Sequence, residues 1–369
     1  MANKLNQIVK VDTVNATSSV LTSSVNTVAI VVVGSAKAAK SYTDLDSIAE
    51  DFASNTAAYK MAQTFFSQST HPDSLVVITA ASASATDIVD AVESASTYDF
   101  YHVVLEYAFS GVDAAAKTAA AVTFIKALNT KANEVFKMFL VEVDLKDNAT
   151  IIGNMYSGDS GLTASTTNRV SVWAHDTTTN AGEHLGVAIT AQRCGVDPAR
   201  GTWAHKRRLV GITPDAITSS GVAAAKAAGY NIYTTIAGEA RTFMGTTCGP
   251  TEFIDTIVKC DWIKFNAESA IYALLGDAND GYGVTYDDTG IQAIGAVITN
   301  ILTKAADSTH QYIMEGYSVT VPSYASIQQA DKNKRNVPGI VGSYSVMNCV
   351  HTVLNVTLNI VYPATSEAA

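Results

Sequence analysis

The residue types that carry out chemistry in other proteins occur in this sequence as short, separate segments. Residues 158–161 read GDSG, which matches the loop of the serine nucleophile in trypsin-like proteases. That chemistry needs a double β-barrel with a histidine and an aspartate earlier in the chain, whereas this segment lies among alternating strands and helices. Gly34 follows an apolar run, where a dinucleotide-binding turn would stand, but the other glycines of that motif are missing. We interpret both segments as turns.

The acidic segment 277–288, DANDGYGVTYDD, has the composition of a calcium loop. An EF-hand would need an oxygen ligand where Gly281 stands and a glycine where Tyr282 stands, so we interpret the segment as a connection between helices. The histidines and cysteines are dispersed and lack the spacings of metal or nucleophile sites. The sequence therefore predicts no catalytic residue, no cofactor and no metal. It predicts free, buried thiols at Cys194, Cys248, Cys260 and Cys349.

The net charge and the apolar runs argue against nucleic acid and membranes as partners. The formal net charge is −10, so the chain as a whole lacks the basic surface that binds phosphate backbones. The first residues lack the apolar core of a signal peptide, and the longest apolar run, residues 28–33, is too short to cross a bilayer. We expect a protein that stays in the cytoplasm where it is made, with no direct nucleic-acid ligand and no membrane insertion.

Charged residues make up only 16% of the chain, against about 25% in ordinary domains. A surface covered by partner proteins would explain this deficit, and compositional drift explains it equally well. The basic clusters, residues 205–208 (HKRR) and 332–335 (KNKR), are short and lack interleaved aromatic residues. We interpret them first as solvated loops and second as salt-bridge donors to another protein.

The elements that must position any site follow two different patterns. In the first half, apolar runs alternate with helical stretches, which predicts βαβ units and a mostly parallel sheet. These runs are residues 27–34, 74–79, 100–107, 135–143 and 169–175. A first helix follows a capping box of Thr43 and Asp46, and its apolar face is Leu45, Ile48, Ala49 and Phe52. A second helix begins near Asn55 or Thr56, and its apolar stripe is Ala58, Met61, Ala62 and Phe65. Two more helices cover residues 113–133 and 181–195.

In the second half, long helices come first and strands follow. The helices are predicted at residues 251–275 and 291–305, and the strands at 311–322 and 339–348. Strands that are clustered without helices between them favour an antiparallel sheet and a second domain. We therefore divide the chain into an extended arm (1–24), an α/β domain (25–200) and an α+β domain (201–369).

The last apolar pattern has a period of two and predicts a long terminal strand. Apolar and polar side chains alternate over residues 350–362, as in a strand with one buried face. At about 3.3 Å per residue this strand would reach roughly 40 Å, beyond the usual length. Its apolar residues are Val350, Leu354, Val356, Leu358, Ile360 and Tyr362. A strand of this length needs a partner, since an unpaired edge promotes aggregation.

Three segments resemble contractile-tail sheath proteins of the myophage type. Residues 42–77 resemble the segment of that family with a Thr-x-Leu helix start, an Asp-Phe pair and an aromatic helix that ends at a proline. The matches are Thr43, Leu45, Asp51, Phe52, Tyr59, Ala62, Phe65, Phe66, Gln68 and Pro72. Residues 252–275 resemble its Phe-Ile-Asp and Asp-Trp helix, and residues 284–298 its Tyr-x-Asp-x-Gly-Ile helix entry. Here the matches are Phe253, Ile254, Asp255, Asp261, Trp262, Tyr286, Asp288, Gly290 and Ile291, with Thr285 and Asp287 as departures from the family pattern.

The resemblance implies a structural subunit that polymerises helically around a tail tube and contracts to drive the tube through a host envelope. Residues 25–200 would form an outer domain, and 201–369 an inner domain whose antiparallel sheet is completed by chain termini exchanged between neighbours. The implied partners are further copies of the chain, the tail tube protein, and baseplate and tail terminator proteins, in a virion tail assembled in the host cytoplasm. The expected interface residues are Leu5, Ile8, Val9, Val11, Lys332, Lys334, Arg335, Leu354, Val356, Leu358 and Ile360.

Two alternatives remain open at this stage. Another polymeric tail component, such as a tube or baseplate protein, would share the low charge and the need for partners, although a tube favours an antiparallel barrel with little helix. A Rossmann-like hydrolase or oxidoreductase would rest on the α/β half alone, and a fold does not determine a function.

Overall fold

The computed structural model describes residues 24–35, 37–105, 114–145, 168–228, 230–248, 252–277 and 283–351. Its main feature is an eight-stranded sheet with the strand order β2-β3-β1-β4-β5-β6-β7-β8. The strands are β1 (Val28–Val33), β2 (Lys40–Tyr42), β3 (Leu75–Ala80), β4 (His102–Leu105), β5 (Met138–Asp144), β6 (Val170–His175), β7 (Asn231–Ile236) and β8 (Glu239–Phe243).

The central strands of this sheet are parallel, and its two edge strands are antiparallel. Strand β1 pairs in parallel with β3 on one side and β4 on the other, while β2 and β8 run antiparallel to their neighbours. Central strands that are covered on both faces need apolar side chains on both, which is why they appear in the sequence as continuous apolar runs. The predicted mixed α/β fold with a mostly parallel sheet is confirmed.

Helices cover both faces of the sheet. They are α1 (Leu45–Ala49), α2 (Ala57–Phe66), α3 (Ala85–Ser94), α4 (Ala114–Val135), α5 (Leu185–Cys194), α6 (Ser219–Ala228), α7 (Ile254–Asp277), α8 (Asp288–Ala306) and α9 (Gln329–Lys334). Helices α2, α5 and the start of α7 contribute to one core, and α3, α4 and α6 to the other. The large sheet therefore has the two helical layers that a doubly covered parallel sheet requires.

The first two helices test the capping predictions. Thr56 does cap α2, and the predicted stripe Ala58, Met61, Ala62 and Phe65 is the buried face of that helix. The predicted capping box of α1 is wrong by one residue. Asp44 is the cap, because its carboxylate accepts a hydrogen bond from the backbone N–H of Ser47 at 2.7 Å. Phe52 lies beyond the end of α1, where its ring packs against Tyr42 with 6.4 Å between centroids.

The sheet continues past the predicted domain boundary. Strand β7 pairs with β6, and β8 pairs with β7, so residues up to Phe243 belong to the first sheet. Sequence reasoning missed these two strands together with α3 and α6. The division of the chain into domains between residues 200 and 201 remains a prediction. The strands of the large sheet extend to Phe243.

The C-terminal half contains a second, small sheet. Helices α7 and α8 pack against each other, and β9 (Ser318–Thr320) pairs antiparallel with β10 (Val341–Ser343). The expected antiparallel pairing after the long helices is confirmed for these two strands, which are shorter than predicted. The predicted terminal strand lies outside the described residues from position 352 onward, as does the arm up to residue 23.

Candidate assembly site

Helix α7 is buried along much of its length although it carries several charged side chains. Five of these side chains are at most 4% exposed: Asp255, Lys259, Asp261, Lys264 and Glu268. Each finds an opposite charge, because burial of an unpaired charge is costly. Lys259 Nζ lies 2.8 Å from Asp255 Oδ2, and Lys264 forms the same i,i+4 pair with Glu268.

Asp261 joins α7 to the large sheet. Its carboxylate receives Arg169 in a bidentate pair, with Nη2 at 2.8 Å from Oδ1 and Nη1 bonded to Oδ2, and the Tyr101 hydroxyl donates to Oδ2 as well. The Arg169 guanidinium also stacks on the Phe136 ring at 3.7 Å. Burial, with the charge of Asp261, raises the pKa of Tyr101 well above its ordinary value, so the hydroxyl stays a donor. The aspartate of the Asp-Trp motif therefore fixes α7 to the starts of β4 and β6.

Trp262, the next residue of the motif, packs in another direction. Its ring contacts His310 and Tyr312, with centroids 5.2 and 5.0 Å away. The Tyr312 hydroxyl in turn donates to Asp197 Oδ2 at 2.6 Å. The Asp-Trp pair thus links the sheet, α7 and the segment that follows α8.

The segment 345–351, which we call the C-terminal root, leads into the predicted terminal strand. It runs beside residues 312–314, where Met347 N donates to Tyr312 O at 2.9 Å and Met314 N donates to Ser345 O at 2.8 Å. From the other side, Lys259 Nζ donates to Met347 O at 2.7 Å. The C-terminal root is therefore held between α7 and the segment after α8.

His351 fixes the far end of the C-terminal root. The Thr202 hydroxyl lies 2.6 Å from His351 Nε2, and His205 Nε2 donates to the His351 carbonyl at 3.1 Å. The Phe253 ring packs edge to face on the imidazole at 4.7 Å. Burial lowers the pKa of His351, so the ring is neutral at pH 7 and Nε2 accepts from Thr202. One residue of the HKRR cluster, His205, therefore contacts the C-terminal root.

The small sheet of β9 and β10 is incomplete in the part of the chain that the structure describes. It has two strands, and each outer edge is without a strand partner among the described residues. Helix α8 covers one face, where Gly342 lies against Leu302 and Ile298, while Val341 remains 53% exposed. A two-stranded sheet of this size is marginally stable alone, and edges without a strand partner are places where further strands can pair.

Some of the predicted interface residues lie within the described part of the chain and others lie outside it. Lys332, Lys334 and Arg335 lie at the end of α9, where Lys334 and Arg335 are exposed and the Lys332 ammonium stands 4.3 Å above the Tyr324 ring. The remaining ones lie outside the described residues: Leu5, Ile8, Val9, Val11, Leu354, Val356, Leu358 and Ile360. In the other basic cluster, Arg207 pairs with Glu239 of its own chain at 3.0 Å.

The candidate chemical segments have structural roles where the structure describes them. Gly34 follows β1 directly, and its N–H donates to Ala80 O at 3.1 Å, so it continues the pairing with β3 at the end of the strand. Helix α7 ends at Asp277 and α8 begins at Asp288, as the interpretation of the acidic segment as a connection between helices predicts, and Asp287 caps α8 by accepting from Gly290 N at 2.9 Å. Residues 278–282 of this segment lie outside the described residues. The GDSG segment lies outside the described residues. The thiol prediction is partly wrong, because Cys349 is exposed on the C-terminal root and Cys260 only half-buried, whereas Cys194 and Cys248 are buried.

A histidine between two carboxylates is the arrangement closest to an acid–base site. His175 Nδ1 lies 3.0 Å from Asp215 Oδ1, and Nε2 lies 3.2 Å from Glu183 Oε2. The ring is 0% exposed, so both nitrogens are engaged inside the protein and a substrate has no access to them. Burial alone would lower the pKa of His175, but the hydrogen bond and charge of Asp215, followed by Glu183, raise it above 6.5.

The glycine of the Tyr-x-Asp-x-Gly-Ile motif has a packing reason. A Cβ at Gly290 would lie 1.9 Å from the Thr285 carbonyl oxygen. We expect Gly290→Ala to lower the free energy of unfolding by about 2 kcal/mol, as overpacking typically does. The matched control is Gly276→Ala, also in a helix but with nothing within 4 Å of an added Cβ, which should stabilise by up to about 1 kcal/mol. Urea denaturation measures both changes, and equal effects of the two substitutions would contradict this explanation.

Two buried histidines should give stability profiles of opposite sign with pH. Burial lowers the pKa of His102 to about 3, so the stability associated with its neutral ring is complete above pH 6.5 and is lost as the pH falls toward 3. The raised pKa of His175 has the opposite effect, since its stability is complete below pH 6.5 and is lost as the pH rises through the folded pKa. We expect His102→Phe to flatten the acid side of the profile and His175→Gln the alkaline side. Urea midpoints from pH 4 to 9 measure this, and variant profiles parallel to the parent profile would refute the assignment.

Two properties of the described residues concern membranes and metals. Within residues 24–351, apart from the gaps given above, none of the helices combines the length and apolar character that a bilayer crossing requires. The same residues contain no group of three or more histidine, cysteine, aspartate or glutamate side chains placed to hold a metal ion.

Comparisons with known proteins identify the fold through structure rather than sequence. No protein-family model matches the sequence, and no curated protein matches it. A chain from the baseplate of the anti-feeding prophage matches with a TM-score of 0.61 and 13% identity, over 95% of this chain and 97% of that one. A chain of the contracted sheath complex of PVC, an extracellular contractile injection system, matches with a TM-score of 0.60 and 12% identity, over 96% and 97%.

A third match is a chain from the helical sheath of the anti-feeding prophage in its contracted state, with a TM-score of 0.57 and 12% identity, over 96% of this chain and 98% of that chain. All three matches extend over nearly the full length of both chains. These neighbours are parts of sheath and baseplate assemblies. This chain has the fold of the subunits that build contractile-injection-system sheaths.

Proposed function

We propose that this protein is the sheath subunit of a contractile tail or injection system, which polymerises helically around a tube. The observation that carries the proposal is the two-stranded sheet whose outer edges have no strand partner among the described residues, beside a C-terminal root whose position is fixed. The full-length fold match to sheath subunits supports the same function. A contractile phage tail, the assembly that the sequence resemblance implies, is one form of such a system.

In this proposal the open edges of β9 and β10 are filled by terminal segments of neighbouring subunits. The arm, with Leu5, Ile8, Val9 and Val11, and the terminal strand, with Leu354, Val356, Leu358 and Ile360, supply those segments. A pair of exposed strands with unpaired edges would otherwise promote uncontrolled aggregation. Exchange of terminal strands provides hydrogen-bond partners for the backbone groups at these edges. It also keeps every subunit connected to its neighbours while the outer domains move.

In this proposal, contraction is a change in how the connected subunits pack. The extended polymer is held kinetically, and a trigger at the baseplate end releases it into a packing that buries more surface. Each subunit needs to gain only a few kcal/mol, because the gain is summed over many copies. The partners are further copies of this chain, the tube, the baseplate and a terminator at the distal end, and the particle is assembled in a host cytoplasm.

The exposed cations at the end of α9 fit an interface between subunits. Lys334 and Arg335 lie on the surface of a chain whose net charge is −10, so a neighbouring copy offers them carboxylates. Such pairs contribute to register more than to affinity. Replacement of both residues by glutamine should leave the melting temperature of the subunit unchanged and make assembly less sensitive to salt. An unchanged salt dependence would remove these residues from the interface.

Electron microscopy of the purified protein tests the proposed function directly. We expect hollow cylinders wider than a tube, in contracted form, without any added nucleotide or cofactor, because the lower-energy lattice needs no template. A strictly monomeric species over a broad range of concentration and salt would contradict the proposal.

One observation favours a second structural role. The match with a TM-score of 0.61 is a chain from a baseplate structure. A subunit specialised for the junction between sheath and baseplate would form closed rings rather than cylinders of variable length. The same micrographs distinguish these two outcomes.

A further inference from the structure

We propose that Asp255, Lys259, Thr202 and His205 form a clasp that sets the direction in which the terminal strand leaves the subunit. This inference rests on the proposed function, since it gives the clasp a role in exchange between subunits. The residues act by positioning the C-terminal root and not through contact with the neighbouring subunit.

The first half of the clasp is a buried ammonium. Lys259 is 1% exposed, and its Nζ lies 2.8 Å from Asp255 Oδ2 and 2.7 Å from the Met347 carbonyl oxygen. A bond from a charged donor is about twice as strong as one between neutral groups, and loss of it would leave a buried ammonium with one partner fewer. Met347 is therefore held to α7 more firmly than a backbone pairing alone would hold it.

The second half holds the last residue that the structure describes. Thr202 and His205 bond the side chain and the carbonyl of His351. His205 lies next to β8, because its backbone N–H donates to the Thr242 carbonyl at 2.8 Å. The clasp therefore fixes the C-terminal root at one end to α7 and at the other end to the large sheet.

Fixing two points of the C-terminal root favours exchange for an entropic reason. A strand that leaves its subunit in one direction loses less conformational freedom when it pairs with a neighbour than a strand that samples many directions. The buried charges of the clasp thus hold the C-terminal root in the position that pairing with a neighbour requires. Loss of the clasp should weaken assembly even where the subunit remains folded.

Helix α7 supplies a matched control for the clasp. Lys264 and Glu268 form another buried i,i+4 pair on the same helix, and the Lys264 ammonium lies 5.2 Å from the Phe136 ring, on the side of the large sheet. Removal of this pair changes the same kind of interaction at a similar depth. It leaves the bond from Lys259 to Met347 in place.

The test compares Asp255→Asn/Lys259→Met with Lys264→Met/Glu268→Gln in the full-length protein. Hydrogen–deuterium exchange reports on the C-terminal root through the amides of Met347 and Met314, which are both hydrogen-bonded across it. We expect both double variants to melt at similarly reduced temperatures. Only the first should show at least tenfold faster exchange at these two amides, together with shorter or fewer cylinders.

A milder variant covers the case in which the first double variant does not fold. Thr202→Val removes, at a partly exposed position, the hydroxyl that bonds His351 Nε2 and also accepts from Ala204 N. It should speed exchange at the Met347 amide several-fold, with little change in melting temperature. Unchanged exchange in the C-terminal root of the variants, or equal acceleration by the control pair, overturns the clasp. Parent protein that fails to form cylinders counts against the sheath function instead, while the exchange data still decide the clasp.

Discussion

Replacing Asp261 with alanine should lower the free energy of unfolding by about 3–5 kcal/mol, the cost of leaving a buried charge without its partner. Arg169 is 1% exposed and depends on this carboxylate for a bidentate pair. The change also removes the acceptor of the buried Tyr101 hydroxyl. Urea denaturation of the unassembled protein measures the loss.

Two controls separate the lost pair from a general sensitivity to substitution. Arg169→Met/Asp261→Leu removes both charges, so it should recover much of the stability that Asp261→Ala loses. Glu134→Ala breaks an exposed pair with Lys131, 2.8 Å long, and should change stability by less than about 0.5 kcal/mol. A loss below about 1 kcal/mol for Asp261→Ala would show that α7 is not fixed to the sheet through this contact.

Val356→Pro is expected to abolish assembly and leave a soluble, folded subunit. In the predicted terminal strand, proline removes one donor of the hydrogen-bond ladder and fixes an unsuitable φ, at a cost of roughly 3 kcal/mol or more for a paired strand. A cost of this size at every subunit contact would prevent growth of a long polymer. Circular dichroism checks the fold, and electron microscopy counts the cylinders.

The neighbouring position provides the control for the proline variant. Asn355→Thr changes the opposite face of the same strand to a residue with higher β-propensity, so assembly should be unaffected. Deletion of residues 1–20 should give the same result as Val356→Pro, with a fold that melts almost as before and polymers that are short or absent. An assembled particle in which residues 350–362 bond only to their own chain would exclude exchange of the terminal strands.

Sequence patterns were sufficient for the elements whose burial is periodic. The core strands Val28–Val33 and Leu75–Ala80 appear as apolar runs because both of their faces are covered. The buried stripe of α2 follows the helical period for the same reason. Strands β7 and β8 escaped prediction because their residues are mixed in polarity, with burial that changes along each strand.

The sequence by itself determined the α/β alternation, the buried face of α2, the long apolar helix and the resemblance to sheath proteins, since each depends on residues close together in the chain. Only the tertiary structure decided what the charges of that helix do. Asp261 meets Arg169 across 92 positions, and Lys259 meets Met347 across 88. A local pattern gives no signal for such pairs. A helix segment with charged residues at these positions reads the same whether their side chains face solvent or a buried partner. The cost of burying a charge is what makes these distant contacts specific once the chain has folded.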